Sequence, residues 1–546
     1  MKLKAGKIKN NSGSYALCGS LWLFFILFVI FPLFFVLSTA KLENFIEVFA
    51  STRFLSSIKN TFLECICSTV LSVLVGYIYA YAVVRANIPF KRFFAAIPVI
   101  HMVTPPFVGG LSFILLFGRQ GFITKTLFGL DVSLYGFFGL VLSQVLCFFP
   151  IAYLICSQSL QGINQSLESA AKSFGATKFK IFRTITLPLS FAGITSSLLF
   201  IAVSVLSDFG NPLIVGGRFK VLAVEIYTQL TGWLNTGTSA ALGIVLLVPS
   251  IILFVFQSFL FKKNSLKLAT IGGKSNVTPV LQKSTSKTAD VLLTIFVSLI
   301  SFFIIAQLLS IVAGSFSKLW GIDSSFTFEH IKSVFVYSPL LLNSVFFAFV
   351  ASVLATFLAC LIAFFAQRTN FFMAKGLNIL CQIPSAIPGT LMGLSLSYAA
   401  NAVRFSNSAI LIILALTISY LPFSYRILSS TFSKLKLTLD DASHSLGAGK
   451  FKVLFSVIVP LSSGGIFSSF IYNFVRGVGT LSSVIFLVSF KTSLASVKIL
   501  NLAEQGDWGK SASLALVLTL ITFIIILVGK KITGSLESSK WKNQQV

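Results

Sequence analysis

Charged residues, and acidic residues above all, are scarce in this chain. Among its 546 residues 10% are charged and 15 are Asp or Glu, whereas 55% are hydrophobic. Soluble domains carry roughly 25% charged residues. The composition therefore excludes a soluble globular protein and predicts an all-α, polytopic membrane protein, since a helix satisfies its own backbone hydrogen bonds in lipid.

Residues that build metal and redox sites are few and scattered. The three histidines, His101, His330 and His444, are far apart, and the seven Cys residues lie in or beside apolar runs. Cys65 and Cys67 lack the two-residue spacing of a C-x-x-C motif. We expect the Cys side chains to be small packing residues, and we expect no metal site and no cofactor in this chain.

A nucleotide-binding P-loop is also missing. It requires a Gly five residues before Gly-Lys-Ser/Thr, so that backbone N–H groups surround the phosphates. The two Gly-Lys-Ser tripeptides, at 273–275 and 509–511, have Leu268 and Glu504 at that position. We therefore expect that this chain is not an enzyme and that any ATP hydrolysis belongs to another chain.

The net charge of +27 has two interpretations. In a soluble protein it would suggest nucleic-acid binding, but no basic run here is interleaved with exposed aromatics. In a membrane protein, Lys and Arg are retained in cytoplasmic loops, where they fix the orientation. We favour the second interpretation and expect the lipid bilayer, and no nucleic acid, as a partner.

Long apolar runs are abundant, and about twelve reach the length of a membrane helix. The run at 16–37 exceeds the ~7–15 residues of a signal peptide, which predicts a retained helix. The runs form two sets of six, at 16–37, 58–84, 93–117, 134–155, 191–205 and 240–261, and at 291–313, 340–365, 372–399, 409–427, 466–488 and 513–528.

Composition divides the chain into two units of similar size joined by a polar linker. The linker is rich in Lys, Ser, Thr and Gly, a composition typical of flexible connections. We predict an N-terminal tail, a first unit, a linker, a second unit and a C-terminal tail, at 1–15, 16–262, 263–289, 290–530 and 531–546.

Basic residues cluster in the segments that would share one side of the membrane. If the N-terminus is inside, the positive-inside rule places the tails, the linker and two polar segments, 158–190 and 430–462, in the cytoplasm. We therefore expect a multi-pass protein of the bacterial cytoplasmic (inner) membrane with both termini inside.

The two polar segments are copies of each other. Gly175 and Gly447 are 272 residues apart, and so are Pro188 and Pro460. Further pairs, Asn60 with Asn343 and Pro105 with Pro388, are 283 residues apart. Six spans return the chain to its starting side, so the two homologous six-helix halves should be related by an axis normal to the membrane, with the pathway at their interface.

Each polar segment predicts a helix, a sharp turn and a second helix. In the first copy Leu167, Ala170, Ala171 and Phe174 form one apolar stripe, and Gly175 suits the left-handed position that ends a helix.

The second copy repeats this pattern, and its Thr438 and Asp441 have the spacing of a capping box. The alternative, an amphipathic helix lying on lipid, is disfavoured because two copies share one Gly-to-Pro spacing. We expect both segments to be cytoplasmic docking elements for a separate protein.

These residues resemble the EAA loop of the membrane subunits of ATP-binding cassette importers. The matches are Ser169-Ala170-Ala171, Gly175 and Ile185 to Pro188, and more loosely Asp441-Ala442-Ser443, Gly447 and Val457 to Pro460. The resemblance implies two ATPase subunits, one per segment, which bind ATP, and an extracytoplasmic substrate-binding protein. It implies ATPase-docking roles for Glu168, Ser169, Ala170, Ala171, Gly175, Asp440, Asp441, Ala442 and Gly447, and leaves open which carboxylate meets the ATPase.

Four further stretches, 206–212, 221–227, 479–488 and 503–509, resemble the fused permeases for ferric iron. The resemblance implies ferric iron as the substrate, with phosphonate, thiamine, sulfate or polyamine as alternatives. A secondary transporter is less favoured because intramembrane acids are sparse, and a membrane enzyme because clustered catalytic residues are lacking.

Two charged residues fall at similar places in the two halves. Asp208 and Arg476 each lie just ahead of a glycine, Gly210 and Gly479. Ionisable groups are costly in lipid and usually face a pathway or each other. We predict that Asp208 and Arg476 line the translocation pathway or form a gate pair; the alternative is an interfacial position with the head group in water.

Overall fold

The computed structural model describes residues 12–130, 134–271, 287–369 and 372–543, and these ranges are almost entirely helical. Ten helices are long and apolar enough to cross a membrane, or up to twelve if each of two bent pairs is one span. The predicted all-α, multi-pass fold is therefore confirmed. The Gly-Lys-Ser tripeptide at 273–275 lies outside the described residues, as do parts of the predicted tails.

The first half consists of α-helices with short π-helical segments between some of them. The α-helices are Ser12–Phe25, Phe31–Thr39, Leu42–Ala50, Thr52–Arg85, Lys91–Val103, Pro106–Phe117, Phe137–Gln161, Gln165–Ser173, Lys178–Ile181, Leu187–Leu206, Gly210–Val215, Leu222–Tyr227 and Thr236–Ile271. The π segments are Ile26–Ile30, Phe122–Leu127, Phe182–Thr186 and Thr228–Gly232.

The second half repeats this order and adds a small antiparallel hairpin, Ser317–Leu319 with Asp323–Phe326. Its α-helices are Lys287–Phe316, Glu329–Val336, Ser338–Arg368, Phe372–Leu380, Gly389–Ala402, Ser408–Ser433, Thr438–Ser445, Lys450–Val453, Val459–Leu461, Ser463–Val478, Ala495–Glu504 and Trp508–Asn543. A 3₁₀ turn, Ile383–Ala386, and a π segment, Leu454–Ile458, complete the half.

The core of each half is one closely packed pair of helices, Thr52–Arg85 against Phe137–Gln161 and Ser338–Arg368 against Ser408–Ser433. Small residues permit the close approach in the first half: a Cβ added to Gly76 would lie 2.4 Å from the Cβ of Ala152. Helix association in lipid depends on such packing because the lipid supplies no hydrophobic driving force between helices.

The first helix of each half packs against the opposite half. The Trp22 indole Nε1 donates a 3.0 Å hydrogen bond to the carbonyl of Met373, and helix Phe31–Thr39 packs on Gly389–Ala402. Reciprocally, helix Lys287–Phe316 packs on the first half, where Ser301 shares a 3.0 Å hydrogen bond with Tyr79. The first helix of each half thus packs on the other half, an arrangement that we call the interlock.

The repeated Asn-Thr and Asn-Ser dipeptides hold equivalent loops. Asn60 donates to the carbonyl of Lys220, and Asn343 donates to that of Lys491. The Thr61 hydroxyl then accepts the backbone N–H of Leu222 at 2.9 Å. Ser344 does the same for Ala495 at 2.8 Å. Each dipeptide thus fixes the start of a buried helix that returns into the bundle, Leu222–Tyr227 or Ala495–Glu504.

The proline breaks at Pro105 and Pro388 start equivalent helices and allow close packing. Both prolines have nearly the same backbone angles, φ −56°, ψ 139° and φ −55°, ψ 141°. The chain bends by 104° between Phe372–Ala386 and Gly389–Ala402. A Cβ added to Gly479 would lie 2.5 Å from the Cβ of Pro105, so the two halves meet tightly at this break.

Two predicted span boundaries were wrong. The predicted span 466–488 ends at Val478, because Gly479 brings its backbone against Pro105 and residues 482–487 form turns. The span predicted at 191–205 is longer, since a helical run reaches back from Leu206 to Lys178. The last helix of the first half continues past 263 to Ile271, where Leu, Lys and Ala are good helix formers; the linker boundary at 263 stays a prediction.

The contact between Trp22 and Gly376 tests the interlock of the halves. A Cβ added to Gly376 would lie 2.3 Å from the Trp22 ring, so Gly376→Ala should push the ring off its hydrogen bond and destabilise the protein by about 1–3 kcal/mol. Gly19→Ala is the matched control, because nothing lies within 4 Å of its added Cβ. Thermal unfolding of the purified protein measures both; equal stability of the two variants would contradict the interlock.

Candidate functional site

The first polar segment contains a short helix, Gln165–Ser173, which we call the first loop helix. The Asn164 side chain caps its start by accepting the N–H of Ser166 at 3.0 Å. At its end Gly175 has a φ of +78°, and Ala176 and Gly175 donate to the carbonyls of Ala171 and Lys172, both at 3.0 Å. This is a Schellman ending, which confirms the left-handed position predicted for Gly175.

The second loop helix, Thr438–Ser445, ends in the same way. Gly447 has a φ of +77°, and Ala448 and Gly447 donate to the carbonyls of Ser443 and His444. Its start is different: the N-cap is Leu437, with no side-chain cap. The predicted capping box was wrong because Thr438 already lies inside the helix, where its hydroxyl cannot cap the first turn.

Each loop helix presents exposed apolar side chains. In the first copy the exposed fractions are 42% for Leu167 and 90% for Phe174, and the equivalent residues Leu439 and Leu446 are 37% and 88% exposed. We call the exposed pair on each loop helix its apolar ridge: Leu167 and Phe174 on the first, Leu439 and Leu446 on the second. Ala170 and Ala442 are also exposed, whereas Ser169, Ala171 and Asp441 are half-buried. Contiguous exposed apolar groups of this kind mark interaction surfaces.

Glu168 and Asp440 point away from that surface. Glu168 is buried and pairs with Arg85, whose Nη1 lies 3.2 Å from Glu168 Oε2. Asp440 is buried and pairs at 3.1 Å with Arg368. Both carboxylates were predicted as docking residues, yet each turns inward to an arginine at the end of a core helix. They hold the loop helices to the bundle and do not reach the exposed face.

The two arginines also bind carbonyl groups at or just beyond the ends of the core helices that precede the loop helices. Arg85 Nη2 donates to the carbonyl of Leu160 at 2.7 Å. Arg368 Nη2 donates to those of Phe432 and Leu435 at 2.9 and 3.1 Å. Each guanidinium therefore ties a core helix, the end of its packing partner and a loop helix together through charge-assisted hydrogen bonds.

The two pairs differ in how fully the carboxylate is satisfied. Glu168 Oε1 accepts a 2.9 Å hydrogen bond from Thr186, while the residue 272 positions later is Ile458. Burial raises the pKa of Asp440 above its usual range, although the neighbouring Arg368 guanidinium acts in the opposite direction. The first pair is therefore the better choice for measuring what the ion pair contributes.

Asp208 and Arg476 line one cavity of about 230 Å³ between the halves. The structure describes no ion pair between their side chains. Asp208 instead accepts hydrogen bonds from Asn211 Nδ2 at 2.8 Å and Gln144 Nε2 at 3.0 Å. The same Gln144 Nε2 donates to the buried Glu64 at 2.5 Å. Asp208 is thus fixed within a buried polar network at the cavity wall.

Sequence reasoning missed two parts of this site. Gln144 is a lone amide in an apolar span, and such a residue is not distinguishable by pattern from one that packs against a neighbouring helix. Arg426 also lines the cavity; it is the second-last residue of the predicted span 409–427, and its sequence position gave no sign of a pathway role.

The fold and the site define a class of protein: a multi-pass permease of two homologous halves that interlock around a central cavity. The family described as "Binding-protein-dependent transport system inner membrane component" matches residues 68–265 and 351–538. The chain belongs to this family.

Three proteins named as ferric iron transport permeases are similar to this chain. The ferric transport system permease protein FbpB of Actinobacillus pleuropneumoniae is 32% identical over 459 residues, which cover 81% of this chain and 66% of that protein. For a putative ferric transport system permease protein FbpB 1 of Haemophilus influenzae the identity is 30%, over 76% of this chain and 67% of that protein. A further Haemophilus influenzae protein, Fe(3+)-transport system permease protein FbpB 2, is 24% identical over 90% and 92%. The matches span about two-thirds of the length of the first two relatives.

The buried pair predicts a specific loss of stability. Glu168→Ala would leave Arg85 charged and buried without its partner, which typically costs about 3–5 kcal/mol. Asp441→Ala, on a half-buried acid of the other loop helix, should stay within about 0.5 kcal/mol of wild type. The combined change of Arg85→Leu with Glu168→Leu should recover most of the loss. Thermal unfolding compares Glu168→Ala and Asp441→Ala with wild type. A double-mutant cycle of wild type, Arg85→Leu, Glu168→Leu and their combination gives the coupling; additive losses would refute it.

Proposed function

We propose that this chain forms the translocation pathway of an ATP-binding cassette importer and that its cargo is ferric iron. The observation that carries the proposal is the twin loop helices, each with an exposed apolar ridge and each tied by a buried ion pair to a core helix. A family member with this pair of elements needs a partner that covers both ridges. An ATPase dimer offers two equivalent surfaces for them.

In this proposal the chain contributes the docking helices, and a separate ATPase chain hydrolyses ATP. Gly509-Lys510-Ser511 begins within the first turn of helix Trp508–Asn543, so it lacks the Gly-rich loop that surrounds phosphates in a P-loop. ATP hydrolysis is therefore assigned to a partner ATPase, with two copies and one copy per loop helix. Cargo would be delivered by an extracytoplasmic binding protein.

The proposed mechanism is alternating access driven through the loop helices. When the ATPase subunits close on ATP, they would draw the two loop helices together. The Arg85–Glu168 and Arg368–Asp440 pairs would pass that movement to the core helices, because a buried charge separates from its partner only at high cost. The central cavity would then open on one side and close on the other.

The proposed orientation follows from charge. The loop helices, the linker and both termini would lie in the cytoplasm, and the protein would reside in the inner membrane of a bacterium, with most Lys and Arg on the inside. The unit boundaries at 16–262 and 290–530 belong to the same proposal.

Two observations support ferric iron as the cargo. The stretches around Asp208 and Gly479 resemble ferric permeases, and the relatives above carry ferric transport in their names. Phosphonate, thiamine, sulfate or polyamine import by the same architecture is the alternative, since a shared architecture does not fix the cargo.

The apolar ridge gives the test of ATPase docking. Phe174→Asp with Leu446→Asp should weaken the association with the partner ATPase by roughly 10- to 100-fold per position, since burying such a side chain contributes about 1.5–3 kcal/mol. The stability of the isolated chain should not change, because both side chains are exposed. Phe490→Asp is the control. Phe490 is 99% exposed, and it follows the end of helix Ser463–Val478 that is farther from the loop helices. Binding to immobilised ATPase measures the effect; equal binding by both variants would exclude the ridge.

The cargo and the energy source are tested together. Vesicles that contain the chain, its ATPase and its binding protein should accumulate ⁵⁵Fe³⁺ only with ATP on the ATPase side, and a protonophore should not stop the uptake. Asp208→Asn and Arg476→Gln should each reduce uptake at least about tenfold, because each removes a charged hydrogen-bonding group. Uptake that collapses with the protonophore would favour a secondary transporter, and wild-type uptake in both variants would remove these residues from the pathway.

A further inference from the structure

The cavity between the halves has two chemically different walls. Equivalent positions, 272 residues apart, carry Phe148 and Tyr420, Phe200 and Tyr472, and Ser204 and Arg476; all six line the cavity. The first half contributes rings and a hydroxyl, whereas the second contributes phenols and a guanidinium. The repeat is therefore symmetric in fold and asymmetric in charge where cargo would pass.

A second guanidinium lies on the same wall. Arg426 lines the cavity, and the equivalent residue of the first half is Leu154. Arg426 lies seven residues before the end of Ser408–Ser433, and Arg476 lies thirteen residues after the start of Ser463–Val478. At ~1.5 Å per residue these positions are roughly 10 and 20 Å from the end that carries the loop helices. The two cations thus lie at successive depths.

Two buried donors in the cavity wall have no partner among the described residues. They are the amide Nε2 of Gln257 and the hydroxyl of Ser483, on residues only 4% and 1% exposed. Both line the cavity. Buried donors are normally hydrogen-bonded, and a negatively charged oxygen is the acceptor that would satisfy them best.

Negative charge in the wall is limited and already engaged. Among the described residues that line the cavity Asp208 is the one acid, and it accepts hydrogen bonds from Gln144 and Asn211. A bare trivalent cation would meet two guanidiniums and one occupied carboxylate, and Coulomb repulsion in a poorly solvated cavity is strong. An anion would meet complementary charge and unused donors.

We propose that the cavity carries its cargo as an anion rich in oxygen acceptors, bound by Arg426 and Arg476 with Gln257 and Ser483. This deepens and rests on the proposed importer function. If the cargo is ferric iron, the metal crosses as a complex with an anionic oxygen ligand and not as the bare ion. A metal-free oxyanion has the same recognisable chemistry, and the experiment separates the two.

The direct test uses arginine footprinting of the purified full-length chain. Phenylglyoxal modifies accessible guanidiniums, and mass spectrometry measures the rate at each residue. Inorganic phosphate, compared with chloride at equal ionic strength, should slow modification of Arg426 and Arg476 at least threefold, while the exposed Arg92 serves as the internal control. Gln257→Leu should reduce that protection. Protection that is absent, or equal at Arg92, overturns the proposal whatever the chain transports.

The second test is double-label uptake by vesicles with the complete transporter. ⁵⁵Fe³⁺ and [³²P]phosphate are supplied together and separately, to wild type, to Arg426→Gln and to the control Arg92→Gln. Joint accumulation of both labels that falls at least tenfold in Arg426→Gln supports an anionic ferric complex. Uptake of ³²P without iron, equally dependent on Arg426, supports the anion cavity and removes ferric iron as the cargo. Uptake of ⁵⁵Fe without ³²P that is unaffected by Arg426→Gln overturns the inference and leaves the ferric importer standing.

Discussion

The buried pairing of an arginine with a loop-helix carboxylate, Arg85 with Glu168 and Arg368 with Asp440, is the interaction on which the rest of the structure depends. A loop helix of eight or nine residues is too short to be stable alone in water. Each one persists because a guanidinium at the end of a core helix binds its carboxylate and also binds carbonyl groups at the end of the preceding core helix. The loop helix and the core helix are therefore one mechanical unit.

That constraint explains why the repeat is strict in some places and relaxed in others. The Schellman glycines, the ion pairs and the Asn–Thr and Asn–Ser contacts recur in both halves, as the proposed joint movement of the two loop helices would require. The cavity wall does not recur: Phe148, Phe200 and Ser204 of the first half are replaced at the equivalent positions by Tyr420, Tyr472 and Arg476. A protein with two separate but identical subunits could not divide its pathway in this way, whereas a fused chain can.

Much of the fold was predictable because lipid imposes simple rules. A membrane helix needs a long apolar run, and a left-handed helix end favours glycine, so most spans and both Gly175 and Gly447 were identified correctly. The partners of Glu168 and Asp440 were not, since Arg85 and Arg368 lie 83 and 72 residues away in sequence and no local pattern links them. The end of the span at Val478 was missed for the same reason: Gly479 matters because Pro105, from the other half, lies against it.

The candidate site, too, was predictable from the sequence only in part. The apolar stripe of the first loop helix was visible in its helical period, but which acid faced outward required the burial of each side chain. Asp208 and Arg476 were recognisable as charges within apolar surroundings. Their surroundings were not recognisable. Asp208 is held by the amides of Gln144 and Asn211, whereas Arg476 shares the cavity wall with Arg426, and only the three-dimensional packing brings these residues together.

The most direct measurement is the distance between the two loop helices in the assembled transporter. Spin labels at the exposed Ser173 and Ser445, in the complex of the chain with its ATPase and binding protein, report that distance by double electron–electron resonance. The account predicts a shorter distance with a non-hydrolysable ATP analogue than with ADP, and loss of this change in Phe174→Asp with Leu446→Asp. A distance that is the same in both nucleotide states would contradict the claim that the loop helices are the levers of this protein.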